Sequence, residues 1–342
     1  IKVRNTLKFM TEISKIFRKN IDTNIIAITG SCGKTTLKEL LGNVLRKISS
    51  VSTSPKSYNN KFGVPLSLLN LKHSDEFGIL EVGMDKKGEI DNLTNIIKPN
   101  VGLITNINYA HAKNFKNIKH IAMAKGEIIN NIVPGGTVVL NADDNFFNFH
   151  KNIAIKKKIK VISFGINKIA NIRLINLKKK KNKYKISINI NGKNKVFYAS
   201  CNFENFIKNL LASIAVNSIF RDPLNIDKNI FDKFKFPTGR GDITKIKFKN
   251  KKIYLVDESY NSNPLSLKSA IENFNLIKTD NRKYMILGDM LELGGHSKVL
   301  HRKITPIINS SKIDKVHIIG NHIRETYKNI KPQKKGLILK ER

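Results

Sequence analysis

The sequence contains no tryptophan and only two cysteines, Cys32 and Cys201, among 342 residues. Two cysteines this far apart cannot build a disulfide framework or a four-ligand zinc site, so we expect a protein of the reducing cytoplasm. No apolar run approaches the ~18 residues that a membrane-spanning helix needs, which excludes the transmembrane class. The N-terminal segment also lacks the apolar core and cleavage site of a signal peptide.

Acidic residues are scarce, with 26 Asp and Glu against 62 Lys and Arg, which gives a formal net charge of +36. Such a charge can indicate a nucleic-acid or membrane partner. The lysines are scattered along the chain, however, and Asn and Ile are also abundant, as the codons of an AT-rich genome would supply. The densest run, at 178–183, is typical of a solvated hairpin tip. We therefore expect no specific nucleic-acid partner.

The order of apolar segments predicts an α/β fold. An amphipathic helix over 6–19 precedes a series of short strands without polar alternation, which are typical of a parallel sheet covered on both faces. These strands lie at 24–29, 78–82, 101–105 and 137–141. Helix-length segments separate them, so we predict a doubly wound, mostly parallel sheet. The period-two alternation over 159–200 predicts appended antiparallel strands, and a helix follows over 205–220.

Turn residues are concentrated at 236–242, which we take as a domain boundary. Beyond it, strands at 253–257, 284–287 and 315–319 alternate with helices at 266–275 and 300–308. This order predicts a smaller, Rossmann-like α/β domain. The predicted division is a linker helix at 1–21, a central domain at 22–237 and a C-terminal domain at 238–342. Because the chain begins with Ile1 and ends without an evident final helix, we expect both ends to be truncated.

The segment Thr-Gly-Ser-Cys-Gly-Lys-Thr-Thr at 29–36 lies where the first strand should turn into a helix. Glycines let successive backbone N–H groups face phosphate oxygens, and the helix N-terminus adds positive charge. Lys34 would reach the β- and γ-phosphates, and the Thr35 hydroxyl would bind Mg²⁺. Two residues separate the glycines, where the common pattern has four. The predicted phosphate-binding residues are Gly30, Ser31, Cys32, Gly33, Lys34, Thr35 and Thr36, and the predicted ligands are ATP and Mg²⁺.

Four further residues stand at predicted strand ends, in helices or in turns. Glu81 is a lone carboxylate in an apolar strand, and at the carboxyl edge of the sheet it would suit Mg²⁺. His111 follows the 101–105 strand, at the sheet edge where ligands bind, and is a candidate functional residue. Lys125, considered on its residues alone, is interpreted as a solvated helix lysine. Asp257 could bind a ribose hydroxyl, as acidic residues at strand ends do in other nucleotide-binding folds.

Together these segments resemble the Mur ligases of peptidoglycan synthesis, in the branch that adds D-alanyl-D-alanine to UDP-N-acetylmuramoyl-tripeptide. The matching stretches are TGSCGKTTLKELL, YNNKFGVPLSLL, LEVGMDKKGEI, NINYAHAKNFKNI, AMAKGEII, LNADD, PTGRGD, VDESYNSNP and LGDMLELG. They occur in family order over nearly the whole chain. YNNxxGVP and GDMLELG are specific to this branch.

The resemblance implies an ATP-dependent ligase that forms a C–N bond through an acyl phosphate and releases ADP and phosphate. It implies that Lys34 holds the phosphates, that Thr35 and Glu81 bind one Mg²⁺, and that His111 and Lys125 bind another. In several relatives the lysine that corresponds to Lys125 is carbamylated. The remaining implied contacts are Asn209 with adenine, Arg240 with phosphate, Asp257 with ribose, and Tyr260, Asn261 and Asn263 near adenine and the incoming amine. The implied catalytic residues are Lys34, His111, Lys125 and Arg240.

Two departures from the family pattern are visible. Asn205 replaces a histidine four residues before the adenine-binding position. We also expect the family's N-terminal UDP-binding domain to have no counterpart before the linker helix. Another amide ligase, of the diaminoacid-adding or folylpolyglutamate type, is an alternative that YNNKFGVP and GDMLELG argue against. Two further alternatives are a non-catalytic fragment and a basic protein that binds nucleic acid in a nucleotide-dependent way. We expect a cytoplasmic monomer, with UDP-N-acetylmuramoyl-tripeptide and D-alanyl-D-alanine as its substrates.

Overall fold

The computed structural model describes residues 2–180, 183–200, 206–232, 234–248 and 251–340. The chain forms two compact units. The central unit contains residues 1–107 and 119–235, and the C-terminal unit contains residues 108–118 and 236–342. The segment 108–118 therefore groups with the C-terminal unit, which its position in the sequence did not suggest. The division at 1–21, 22–237 and 238–342 stays a prediction.

The central unit is built on a nine-stranded sheet in the order β2-β3-β1-β4-β5-β6-β7-β8-β9. Its strands are β1 (Asn24–Thr29), β2 (Val51–Thr53), β3 (Phe77–Glu81), β4 (Val101–Ile104), β5 (Thr137–Asn141), β6 (Lys160–Gly165), β7 (Ile172–Lys180), β8 (Lys183–Ile190) and β9 (Lys193–Ser200). Its helices are α1 (Thr6–Lys19), α2 (Lys34–Leu45), α3 (Gly63–Leu69), α4 (Glu89–Ile97), α5 (Ile118–Gly126), α6 (Phe147–Lys156) and α7 (Ile207–Phe220). Strands β3, β4 and β5 are buried along their whole length, as expected for a parallel sheet covered on both faces.

Strand β1 lies in parallel between β3 and β4, so the strand order reverses at β1. Ligands of open α/β sheets bind at such a switch point, outside the carboxyl ends of the strands. The turn that follows β1 is the glycine-containing segment 30–33, and helix α2 begins directly after it. The fold therefore places the predicted phosphate-binding loop at the position where this architecture binds ligands.

The expectation of antiparallel strands throughout 159–200 is wrong for its first strand. Strand β6 pairs in parallel with β5, and β7 also begins parallel to β6, over two residue pairs. Only β7, β8 and β9 are antiparallel to one another. The reason is that β6 follows the crossover helix α6 and has α6 and α7 packed on it, which makes it a core strand. The predicted hairpin tip at 178–183 includes residues 181 and 182, which lie outside the described residues.

Helix α1 has the predicted bounds and packs on the central unit. The Arg18 guanidinium donates to the carbonyl oxygens of Ile97 at 2.7 Å and Lys98 at 3.0 Å, where helix α4 ends. Burial lowers the pKa of Arg18, and Asp22 partly opposes this effect. Cations stabilise helix C-termini because the last carbonyl groups there have no helical partner. Arg18 therefore joins α1 to the C-terminal end of α4.

The C-terminal unit contains two small sheets. Strands β10 (Asp242–Phe248) and β11 (Lys251–Asp257) form an antiparallel pair, while β12 (Tyr284–Leu287), β13 (Lys315–Ile319) and β14 (Lys335–Leu339) are parallel. Its helices are α8 (Pro264–Leu276), α9 (Ser297–Arg302), α10 (Thr305–Ser310) and α11 (Arg324–Lys328). The sequence order placed the 253–257 strand at the start of the alternating strands and helices, but β11 pairs with β10 instead of β12.

The predicted helix at 300–308 is two helices, α9 and α10, which meet at residues 303–304. Pro306 lies in the first turn of α10 and has no backbone N–H to continue the preceding helix. Strand β10 was not predicted, because its apolar residues do not alternate strictly and nearly all of the strand is exposed.

Within the part of the chain that the structure describes, no helix has both the length and the apolar character of a bilayer span.

Candidate functional site

Two glycines give the segment 30–33 its shape. Gly30 has φ +143°, and a Cβ there would lie 1.9 Å from the Thr105 Oγ1 atom. Gly33 has φ +83°, and its Cβ would lie 3.1 Å from the Asn209 side-chain oxygen. Both positions combine a left-handed backbone with a close neighbour, so each requires glycine. The two glycines thus allow the tight turn that carries the chain from β1 into α2.

Residues at the end of β4 fix this loop from the side. The backbone N–H of Ser31 donates to the Asn106 carbonyl at 2.9 Å, and that of Cys32 donates to the Asn106 side chain at 3.1 Å. The Thr105 hydroxyl donates in turn to the Cys32 carbonyl at 2.6 Å. These residues were not singled out from the sequence, although Asn106 opens the NINYAHAKN motif. They hold the loop in shape before any ligand binds.

Helix α2 begins at Lys34, and the first turn of the helix carries the remaining predicted phosphate-binding residues. The Lys34 Nζ atom donates to the Gly30 carbonyl at 3.0 Å, so the side chain folds back across the loop. Thr35 and Thr36 are both buried. A helix N-terminus beneath a curled loop, with a lysine ammonium across it, is an arrangement that binds phosphate groups.

Glu81 ends strand β3 and is only 2% exposed. The Thr35 hydroxyl donates to its Oε2 atom at 2.7 Å, and the Asn59 side-chain amide donates to its Oε1 atom at 2.8 Å. The pair Thr35 and Glu81 therefore meets beside the phosphate-binding loop, where the sequence predicts Mg²⁺. Carboxylate and hydroxyl oxygens are suitable ligands for this ion. Asn59 lies in the YNN motif, but no role for it followed from the sequence.

Lys125 lies in α5 and is 1% exposed, so its interpretation as a solvated lysine is wrong. The helix packs into the central unit, with Ala124 and Gly126 also buried on either side of the lysine. Burial lowers the pKa of Lys125 well below its ordinary value, and the charge of Lys34 lowers it further, while Cys32 acts in the opposite direction. Lys125 is therefore close to the phosphate-binding loop, and its burial disfavours the charged ammonium.

Asn209 lies in α7 and contacts the phosphate-binding loop at Gly33. Its side-chain amide donates to the Gly33 carbonyl at 3.3 Å. Asn205 and Cys201 precede this helix and lie outside the described residues. The central unit therefore brings together the predicted residues of the 30–36 segment with Glu81, Lys125 and Asn209.

His111 belongs to the C-terminal unit, where it has a left-handed backbone with φ 55°. Its Nδ1 atom lies 2.5 Å from a carboxylate oxygen of Glu292. The backbone N–H of Lys113 also donates to the Glu292 carbonyl at 2.8 Å. A histidine whose Nδ1 faces a carboxylate can present Nε2 to a metal ion. Glu292 was missed as a partner, although it lies in the GDMLELG motif that carries the resemblance.

Arg240 and Tyr260 form a second group within the C-terminal unit. The Arg240 guanidinium carbon lies 4.3 Å from the centre of the Tyr260 ring. The Asp257 side chain accepts from the Ser259 N–H at 2.9 Å, and hydrogen bonds from Ser259 lower the pKa of this carboxyl. A backbone hydrogen bond joins the two segments, because the Gly241 N–H donates to the Asp257 carbonyl at 2.8 Å. These three predicted residues are therefore neighbours.

Asn261 and Asn263 lie in the turn that leads into α8. The Asn261 side chain accepts from the Ser262 N–H at 2.8 Å. Asn263 is the N-cap of α8, and its side chain accepts from the N–H groups of Leu265 and Ser266. Such a cap stabilises a helix by about 1 kcal/mol. Their predicted position near adenine and the amine substrate stays a prediction.

His301 is fully buried and contacts the backbone of the GDMLELG segment. Its Nε2 atom accepts from the Met290 N–H at 3.0 Å, and its Nδ1 atom lies 2.8 Å from the Ser297 carbonyl. This pattern needs a neutral ring with the proton on Nδ1. Burial lowers the pKa of His301, and His322 lowers it further, whereas Ser297, Asp289 and Glu325 act in the opposite direction.

We expect the C-terminal unit to lose stability as the pH falls below about 6.5, the ordinary pKa of histidine. Below that value the unfolded chain binds a proton at His301 that the folded chain does not bind. The variant His301→Gln should be less stable at pH 7.5 but should show a flatter pH dependence. Thermal melts at pH 7.5 and 5.5 measure this effect, with an expected difference in shift of about 5 °C between the two proteins. Parallel slopes for both proteins would contradict the assignment.

Comparison with known proteins identifies relatives over both units. The family model described as Mur ligase middle domain matches residues 28–217, and the one described as Mur ligase, glutamate ligase domain, matches residues 240–339. The UDP-N-acetylmuramoyl-tripeptide–D-alanyl-D-alanine ligase of Buchnera aphidicola subsp. Acyrthosiphon pisum is 34% identical over 336 residues. That alignment covers 95% of this chain and 70% of the relative.

Solved structures share the fold. MurF from Acinetobacter baumannii superimposes with a TM-score of 0.88 at 24% identity, over 98% of this chain and 72% of that protein. The MurF ligase of Thermotoga maritima, solved in complex with ADP, gives a TM-score of 0.83 at 23% identity. That match covers 100% of this chain and 76% of the other. The arrangement of strands and helices described above is thus the one found in these enzymes.

Proposed function

The chain belongs to the Mur ligase family, and we propose that it joins D-alanyl-D-alanine to UDP-N-acetylmuramoyl-tripeptide in peptidoglycan precursor synthesis. It is an ATP-dependent ligase that forms an amide bond. The observation that carries the proposal is the cluster of the 30–36 loop, Glu81 and Lys125 at the switch point of the central sheet. The match over 95% of the chain to a D-alanyl-D-alanine ligase favours this reaction over diaminoacid or glutamate addition.

ATP binding is assigned to the loop and to the first turn of α2. The N-terminus of α2 and the Lys34 ammonium would hold the β- and γ-phosphates, with Asn209 against adenine. Arg240 of the C-terminal unit would contact phosphate and Asp257 the ribose. Tyr260, Asn261 and Asn263 would lie near adenine and the incoming amine. These roles rest on the family resemblance and on the grouping of the residues within each unit.

Mg²⁺ fits the oxygen atoms that the central unit presents. Thr35 and Glu81 would hold one ion, because a buried carboxylate with a hydroxyl at 2.7 Å offers hard oxygen ligands. By the family resemblance, His111 of the C-terminal unit and a carbamylated Lys125 would hold another. When bound, the ions neutralise charge on the transferring phosphoryl group.

The reaction we propose has two steps. A terminal carboxylate oxygen of the tripeptide attacks the γ-phosphorus of ATP, the bond to the β–γ bridging oxygen breaks, and ADP leaves. The amine of D-alanyl-D-alanine then attacks the carbonyl carbon of the acyl phosphate, and phosphate leaves as the amine loses a proton. Lys34 and Arg240 provide fixed positive charge where negative charge develops during phosphoryl transfer. We propose that the reaction takes place in the cytoplasm. We also propose that the protein is a monomer.

Isotope transfer tests the first step. A tripeptide substrate with ¹⁸O in its terminal carboxylate should deliver one ¹⁸O atom to the released inorganic phosphate, because the acyl phosphate forms through that oxygen. Mass spectrometry of the phosphate and of the nucleotide measures where the label goes. Label in AMP would indicate adenylation of the carboxylate instead, and would contradict the proposed phosphoryl transfer.

A further inference from the structure

Lys38 lies one turn after Lys34 in α2, and its side chain is fully buried. Its Nζ atom donates to the carbonyl oxygen of Ser54 and to that of Lys56 at 2.6 Å. The third neighbour is a carboxylate oxygen of Glu39 at 3.1 Å. An ammonium group has three N–H donors and no acceptor, so these three oxygens match its full capacity.

The backbone that Lys38 holds is the segment 54–59, which follows β2. This segment also reaches the candidate metal position. The Glu81 N–H donates to the Ser54 hydroxyl at 3.2 Å, and the Asn59 amide donates to Glu81 Oε1 at 2.8 Å. The Ser57 hydroxyl lies 3.5 Å from that of Thr35. The segment thus connects Lys38 in α2 to the carboxylate at the end of β3.

Asn59 is itself fixed at the end of β3. The Gly83 N–H donates to the Asn59 carbonyl at 2.7 Å, just beyond Glu81. The amide of Asn59 occupies one oxygen of the Glu81 carboxylate, while Thr35 contacts the other. The orientation of the carboxylate therefore depends on where the segment 54–59 places Asn59.

We propose that Lys38 is a positioning residue for the metal–nucleotide site, acting through the segment 54–59 and Asn59 on the Glu81 carboxylate. This inference rests on the proposed function, because it concerns how the proposed Mg²⁺ ligand is oriented. Partners that orient a metal ligand typically change metal affinity or activity 10–100-fold when they are removed. Lys38 touches neither nucleotide nor metal in this account, and its effect passes through Asn59.

The test measures Mn²⁺ binding in the presence of ADP, by the loss of the free Mn²⁺ signal in electron paramagnetic resonance. Lys38→Met keeps the length of the side chain and removes its three donors. We expect its Mn²⁺ affinity to fall about 10–100-fold, while ADP affinity without metal stays unchanged. Asn59→Ala leaves α2 and Lys38 intact, so it tests the same path if Lys38→Met fails to fold, and its Mn²⁺ affinity should fall similarly.

A matched control is available in the same unit. The Lys195 ammonium donates to the carbonyl oxygens of Pro223 at 3.3 Å, Leu224, and Ile226 at 2.5 Å. Lys195→Met therefore removes the same kind of carbonyl contacts without involving the segment 54–59. We expect it to lower thermal stability and to leave Mn²⁺ affinity at the wild-type value.

The double variant Lys38→Met, Asn59→Ala separates positioning from general damage. If Lys38 acts through Asn59, the double variant should lose no more Mn²⁺ affinity than the more affected single variant. Losses that add, or wild-type Mn²⁺ affinity in either single variant, would overturn the inference. Absence of Mn²⁺ and ADP binding by the wild-type protein would instead refute the proposed function, so the two failures are distinguishable.

Discussion

Replacing Lys34 with alanine is expected to abolish ATP-dependent ligation while the protein stays folded. The Lys34 ammonium lies across the phosphate-binding loop on the Gly30 carbonyl, and it would move onto the β- and γ-phosphates when ATP binds. Removing a single hydrogen-bond donor from such a site already lowers kcat by about 100–1,000-fold, and Lys34 supplies a full positive charge as well. Steady-state ligation rates measure the loss, and circular dichroism with a thermal melt measures folding.

The matched control for this variant is Lys47→Ala. Lys47 is an exposed lysine just beyond the end of α2. It should retain wild-type activity, because it lies at the opposite end of the helix from the loop. If the Lys34→Ala protein keeps most of its activity, the assignment of the loop to the reaction is wrong.

Replacing Lys125 with alanine is the second change with a large expected effect. Burial lowers the pKa of Lys125 and so favours the amine over the ammonium, and a neutral amine adds to CO₂ to give a carbamate and one released proton. A carbamate carries negative charge on two oxygens, which suits Mg²⁺ where a lysine cation would repel it. We therefore expect Lys125→Ala to lose nearly all ligation activity, and acetate or formate to restore part of it.

The control lies in the same helix. Lys119 is exposed in α5, so Lys119→Ala should keep its activity and should not respond to acetate. Activity of the wild-type protein should also fall when CO₂ and bicarbonate are removed from the buffer. An inactive Lys125→Ala protein that no small carboxylate rescues would support a structural lysine and contradict the carbamate.

Local sequence patterns predicted elements well where the spacing of their apolar residues is regular. The bounds of α1, β1 and β5 agree with the prediction, because their apolar spacing is regular from end to end. The glycine-containing loop was also predictable, since φ values at Gly30 and Gly33 that only glycine adopts readily leave a direct trace in the sequence. The pairing of β10 with β11 left no such trace, because both strands are exposed and lack regular alternation.

The partners of the site residues were harder to predict than the residues themselves. Lys125 looks like any helix lysine until the packing of α5 buries it. Asn59 reaches Glu81 only because the segment 54–59 is folded against α2, which depends on contacts 16 and 18 residues apart in the chain. Glu292 meets His111 because the distant segment 108–118 packs with the C-terminal unit. Contacts of this kind depend on tertiary structure and have no local signature.

Part of the large lysine content has a structural use. Lys283 donates to the carbonyl oxygens of Phe274, Asn275 and Ile277 at the end of α8. Lys334 donates to the carbonyl oxygens of Ser311 and Ile313 in the same unit. Cations near helix C-termini satisfy carbonyl groups that have no helical partner. The interpretation of the charge as dispersed is consistent with these local roles.

The most direct test of the central claim is a reconstituted ligation reaction. The purified protein is incubated with MgATP, UDP-N-acetylmuramoyl-tripeptide and D-alanyl-D-alanine, and products are followed by liquid chromatography and mass spectrometry. We predict UDP-N-acetylmuramoyl-pentapeptide, ADP and phosphate in equal amounts, with no product when D-alanyl-D-alanine is omitted. Hydrolysis of ATP without pentapeptide, or product formed with a diaminoacid or glutamate instead, would contradict the claim.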